Sequence, residues 1–242
     1  MEASAMAVSG VKALTFDVFG TVVDWRGGII AEAKALGEAK GLSLDWEAFV
    51  DDWKSCYRAG MDRVNSGEIP WMTVDEIYRA KLDELLVAYG ITGLCEAETA
   101  RFNRVWHRLD AWPDAVEGLV RLKRKFVLST LSNGSFACLV DMAKHAGLPW
   151  DCVLSAENVR RYKPAPEVYL MAIELLGQKP EQVMMVAAHN DDLTHAAAHG
   201  MRAAFIPRPT EYGPDQTSDL KPEGDWDIIA DSMAGLADAL GA

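Results

Sequence analysis

Residues Val11–Asp24, VKALTFDVFGTVVD, constrain this chain more than any other stretch. An apolar run stops at Asp17, turns through Phe19-Gly20-Thr21, and then resumes. A carboxylate at the carboxyl end of a buried parallel strand stands where open α/β sheets place their ligand crevice. Glycine takes positive φ without penalty, so Gly20 lets the backbone turn sharply. Thr21 brings a hydroxyl just past that turn, in reach of the carboxylate or a small anion. Alone, the stretch reads equally well as a strand with a capping aspartate; the later segments decide.

After Pro113 the sequence alternates between helix and strand patterns. Helices are expected at Ala115–Lys125, Phe136–His145, Pro166–Leu176 and around Ala196–His199, and strands at Phe126–Leu131, Val153–Ser155, Val183–Ala188, Ala203–Ile206 and Asp227–Ala230. A helix closes the chain, and Pro207–Asp225, rich in Pro, Gly and Asp, reads as a long loop. Between Trp25 and Asp110 apolar residues recur at helical spacing only, for example Phe49, Val50, Trp53 and Tyr57. The expected architecture is α/β: a Rossmann-like parallel sheet built from residues 1–24 and 111–242, with residues 25–110 inserted as a helical cap.

Composition removes several classes of function. A net charge of -12 argues against nucleic acid or an anionic membrane surface as partner, since both demand clustered Lys and Arg. The basic run Arg121–Lys125 falls at a helix C-terminus, where the dipole favours cations. The four cysteines show no CxxC spacing, so neither a zinc site nor a disulfide framework follows. The first ten residues lack the basic and apolar regions of a signal peptide, and no run has the roughly 18 apolar residues of a membrane span. A cytoplasmic location is expected. His195 and His199 have the i, i+4 spacing that can bind zinc, yet HAAAH lacks the glutamate of a zincin and no third ligand is evident. Patterns for phosphate loops, dinucleotides and nucleophilic serines are missing as well.

Every polar cluster of note follows an apolar strand: Asp17 and Thr21, then Ser132 and Asn133, then His189 through Asp192, with Lys163 ahead of a helix at Pro164. Parallel strands deliver such ends to one edge of the sheet. In this order the motifs resemble those of the haloacid dehalogenase superfamily: an Asp-led turn ending in Gly20-Thr21, the Ser132-Asn133-Gly134 segment, Lys163-Pro164, and an acid at Asp191 or Asp192. Phosphatases of that superfamily carry a second Asp two residues after the first, to protonate a leaving alkoxide. Phe19 occupies this position here and cannot donate a proton. Halide needs no such help, and an aromatic ring favours a dry pocket. The chain therefore resembles the L-2-haloacid dehalogenases.

That resemblance implies a cofactor-free, metal-free hydrolysis of a small 2-haloacid. Asp17 would displace halide from C2 with inversion, and water would then hydrolyse the aspartyl ester. Lys163 would hold the nucleophile, Asp192 the water, and Thr21 and Ser132 the reacting carboxylate or the substrate's own. Asn133 would meet the departing halide, and Tyr169, in the Lys-Pro-x-x-x-x-Tyr pattern, the Lys–Asp pair. Family members commonly form homodimers. Three positions depart from the family pattern. Lys54 follows Trp53 where an Arg usually gathers the anion, with Arg58 one turn on as a second candidate. His189 stands where Asn is frequent, in reach of the water or of Asp17. Phe19 replaces the more frequent Tyr. A magnesium-dependent phosphatase of the same fold, with Asp17, the Phe19 carbonyl and Asp191 or Asp192 as oxygen ligands, is the rival reading; a silent binding protein is a third.

Overall fold

The computed structural model describes residue 8 and residues 10–242. The expected absence of a targeting segment at the N-terminus therefore lies largely outside the described residues. Five parallel strands, β1 (Ala13–Phe16), β2 (Val127–Thr130), β3 (Val183–Ala187), β4 (Arg202–Phe205) and β5 (Ile228–Ile229), form one sheet in the order β2-β1-β3-β4-β5. Register pairs Phe16 with Thr130 on one side and with Val186 on the other. Every residue of β1 and β3 is buried, as expected of central strands covered on both faces. The first strand and its two neighbours consequently release the chain at one edge, and that edge carries Asp17, Ser132 and His189.

Four helices lie between Asp24 and Asp110: α1 (Trp25–Lys40), α2 (Trp46–Asn65), α3 (Val74–Ala88) and α4 (Glu96–Asn103), the last running into a 3-10 turn at Arg104–His107. Three of these starts are capped by a side chain. The side chains of Asp24, Asp45 and Thr73 accept from the first-turn amides of α1, α2 and α3, and Glu76 completes a capping box with Thr73. The segment leaves and rejoins the sheet side by side: the Asp24 amide donates to the Asp110 carbonyl at 3.0 Å and that of Trp112 to the Val22 carbonyl at 2.9 Å. Between these points no strand occurs.

The remaining helices are α5 (Ala115–Leu122), α6 (Phe136–Ala146), α7 (Pro166–Leu175), α8 (Asn190–Ala198) and α9 (Met233–Ala239). One expected strand is not there. Val153–Ser155 makes no ladder; only isolated bridges, Ser129 to Cys152 and Ser132 to Ser155, mark its course past β2. The Thr130 hydroxyl donates to the Leu154 carbonyl and accepts from its amide, so a side chain takes over bonds that a strand would have made with backbone. Asn190–Asp192 form the first turn of α8, directly after β3.

Candidate active site

Asp17 leaves β1 with 7% of its surface exposed and its carboxylate held from three directions. Lys163 Nζ donates to Oδ1 at 2.9 Å, Thr21 Oγ1 donates to Oδ2 at 3.0 Å, and His189 Nδ1 lies 3.1 Å from Oδ2. Burial alone would raise its pKa; the Lys163 charge and the His189 contact outweigh it and hold the carboxyl well below the usual range. The group is thus an anion that water reaches poorly. Thr21 also accepts from the Ala188 amide at 2.9 Å, tying the turn after β1 to the end of β3.

Lys163 bridges two carboxylates, since Nζ also donates to Asp192 Oδ2 at 2.5 Å. Asp17 and Asp192 push its pKa up against the effect of burial. Tyr169 donates to the other oxygen of Asp192 at 2.7 Å. Both oxygens of Asp192 are therefore engaged, and burial, with Asp17 nearby, raises its pKa. Asn133 fixes the lysine from behind, accepting from the Lys163 amide at 2.8 Å, while its Nδ2 faces Met61 Sδ at 3.2 Å.

These groups floor a cavity of about 280 Å³. Its opposite wall comes from α2, through Lys54, Tyr57, Arg58 and Met61, and Phe19 closes one side. Lys54 Nζ lies 3.7 Å from the Tyr57 ring centre, 4.9 Å from Trp25 and 5.8 Å from Phe19, and donates to the Tyr78 hydroxyl at 3.3 Å. Burial lowers its pKa to about 8, against the pull of Glu211 and Asp17. It remains a cation near neutrality, sitting in an aromatic box with no carboxylate of the described residues in bonding range. Arg58 sits instead at the exposed rim, 3.5 Å from Asp191 and 3.6 Å from Asp62.

The structure brings Asp17, Thr21, Lys163, Asp192, His189, Tyr169, Phe19, Lys54 and Asn133 together. It does not bring Ser132 to the carboxylate: Ser132 Oγ accepts from the Gly134 amide at 3.2 Å, and the residue does not line the cavity. The histidine pair separates too. His195 contacts Asp191, while His199 stacks on Tyr169. A magnesium shell also finds poor support, because Asp191 turns out to Arg58 and His195 and Asp192 is committed to Lys163 and Tyr169.

Sequence reasoning missed Glu211. It is 2% exposed, in the loop after β4, and accepts from Trp25 Nε1 at 2.9 Å while its other oxygen lies 2.9 Å from His189 Nε2. Glu211 raises the pKa of His189 far above its ordinary value despite burial, and Asp17 adds to the effect. The only local hint was an acid in a long loop, and loops commonly carry function.

Comparison with known proteins places the chain in a family. The haloacid dehalogenase-like hydrolase family matches residues 11–200. (S)-2-haloacid dehalogenase 4A of Burkholderia cepacia is 30% identical over 215 residues, 85% of this chain and 88% of that one. Crystal structures of an L-2-haloacid dehalogenase and of a defluorinating L-2-haloacid dehalogenase superpose with TM-scores of 0.93 each, at 45% and 44% identity. They cover 96% of this chain, and 99% and 96% of their own. The chain belongs to the haloacid dehalogenase-like hydrolases and, within them, to the (S)-2-haloacid dehalogenase family.

Proposed function

We propose that this enzyme hydrolyses small (S)-2-haloacids to (R)-2-hydroxy acids and halide through an ester on Asp17, without a metal or cofactor. The observation that carries the reading is a buried carboxylate, held ionised by Lys163, opening into a small cavity walled by Phe19 where a phosphatase would need a proton donor. A poorly hydrated carboxylate whose charge is balanced by fixed donors is a competent nucleophile toward carbon. Relatives named (S)-2-haloacid dehalogenase support the substrate class.

The substrate carboxylate pairs with Lys54, whose aromatic box leaves its charge unanswered. C2 then faces Asp17, and the halogen leaves on the far side toward the Asn133 amide, which inverts the centre. Residues 25–110 act as a cap, since α2 supplies one whole wall of the cavity. Thr21 and Lys163 hold the carboxylate oxygens in place, and Asp192 and Tyr169 hold Lys163.

Halide release from each enantiomer of 2-chloropropionate in EDTA, beside phosphate release from a phosphomonoester with magnesium, tests the reading. Metal-independent consumption of the L enantiomer alone is expected. Phosphate release that requires magnesium, without halide release, would replace it with the phosphatase reading.

A further inference from the structure

His189 is clamped between two carboxylates, Asp17 on Nδ1 at 3.1 Å and Glu211 on Nε2 at 2.9 Å. An ionised carboxylate only accepts hydrogen bonds, so both ring nitrogens must donate and the resting imidazole is a cation. Glu211 is built in rather than incidental. The Trp25 indole fixes one of its oxygens. Gly20, at φ 85°, lets that carboxylate approach so closely that a Cβ there would lie 2.1 Å from Oε1. Such an arrangement needs a role in a reaction whose other acid, Asp192, has both oxygens already bonded.

We propose that Glu211 is the positioning residue that makes His189 the general base for hydrolysis of the Asp17 ester. The inference rests on the haloacid reading above and deepens it. Attack by Asp17 forms the Asp17 Oδ–C2 bond and breaks the C2–halogen bond, so the carboxylate becomes a neutral ester. One of the two anions holding the imidazolium is then gone. Lys163, which donates to the same Asp17 carboxyl, keeps its charge and opposes retention of a second cation beside the new ester. His189 releases its Nδ1 proton to the solvent that carries away the halide, through the cavity it lines. Nε2–H stays bonded to Glu211, which fixes the tautomer and aims the bare Nδ1 at the former carboxylate.

A water between Nδ1 and the ester carbonyl gives one proton to His189 as its oxygen adds to Cγ. Collapse breaks the bond between Cγ and the substrate oxygen, and His189 returns that proton to the leaving alkoxide as the hydroxyl of the product. The second proton of the water remains on the Asp17 carboxyl and passes to Nδ1, which restores the ion pair. Haloacid and water have become hydroxy acid, halide and one proton.

The test mixes L-2-chloropropionate with the enzyme and with Glu211→Gln, quenches at intervals, and reads halide and intact protein mass. For the variant we expect about one halide per site, then turnover slowed roughly 100-fold, the lower end of the range for general base catalysis. The ester should accumulate on the peptide containing Asp17. Unchanged turnover, or turnover and first halide lost together with no adduct, would overturn the proposal. Should Glu211→Gln melt before assay, His189→Gln carries the same expectation of a trapped ester, and its failure to trap one overturns the proposal equally. If the unaltered enzyme releases no halide, the haloacid reading falls and takes this inference with it. Turnover by the unaltered enzyme without adduct in either variant removes the roles of both His189 and Glu211 and leaves the haloacid reading in place.

Discussion

Lys54 shows how one side chain can be read from its neighbours. An ammonium ringed by Tyr57, Trp25 and Phe19 gains cation–π attraction, but that does not replace the water it has lost. An anionic substrate supplies the missing charge. Lys54→Met should raise KM for 2-chloropropionate about 10- to 100-fold with a smaller effect on kcat, the worth of one charged hydrogen bond. Steady-state kinetics decide it, and an unchanged KM would transfer the role to Arg58 at the rim. Asp17 and Thr21 were legible because strand-end position and residue type suffice to place them, and Lys163 because a Lys-Pro ahead of a helix completes the order of motifs. Glu211 was not legible. Its place beside His189 follows from the space left by Gly20 and from the Trp25 indole, contacts 191 and 186 residues apart that no local pattern carries.

At the scale of elements, the turn after β1 and the junction between helices and sheet each carry a prediction. Gly20→Ala would place a methyl group against the Glu211 carboxylate in a backbone conformation L-residues rarely adopt. It should cost about 1–3 kcal/mol in denaturant unfolding, with loss of activity as Glu211 moves; wild-type stability would contradict the packing described. At the junction, His107 of the 3-10 turn lies 3.1 Å from Asp75 on α3 and 2.8 Å from Asp141 on α6, and Ser135 donates to Asp75 at 2.5 Å. Burial opposes charge on His107, but Asp75 and Asp141 raise its pKa over the counter-effect of Arg104. A raised pKa means the contribution is complete below the unfolded value of about 6.5 and is lost as pH rises through the folded value. The Asp75 pKa is lowered, so its share holds above the unfolded value and fades only as pH falls. The stability gap between the enzyme and His107→Gln should therefore narrow as pH climbs above neutrality, which melting curves across pH would show. A gap that widens would contradict the assignment. Helices and strands here were mostly legible from periodicity. Val153–Ser155 misled because an apolar triplet alone cannot show that a Thr130 hydroxyl will take its backbone bonds.

For the whole molecule, the sheet brings one half of the site and the inserted helices the other, so neither alone encloses the cavity. Among the described residues no helix is long and apolar enough to cross a membrane. The net charge of -12 coexists with a site whose two cavity lysines face the reacting groups, which is why overall charge said little about the substrate's sign. The overall architecture was legible because alternating β and α patterns admit few arrangements. How the helices meet the sheet was not, since it depends on packing between distant segments.

The central claim is that the oxygen delivered to the substrate comes from Asp17 and not directly from water. A single turnover in ¹⁸O-water, with enzyme in excess over L-2-chloropropionate, tests it by mass spectrometry of the product and of the peptide containing Asp17. The account predicts ¹⁸O in the Asp17 carboxylate and unlabelled lactate. Labelled lactate with an unlabelled peptide would mean that water attacks C2 itself, and the ester mechanism would have to be abandoned.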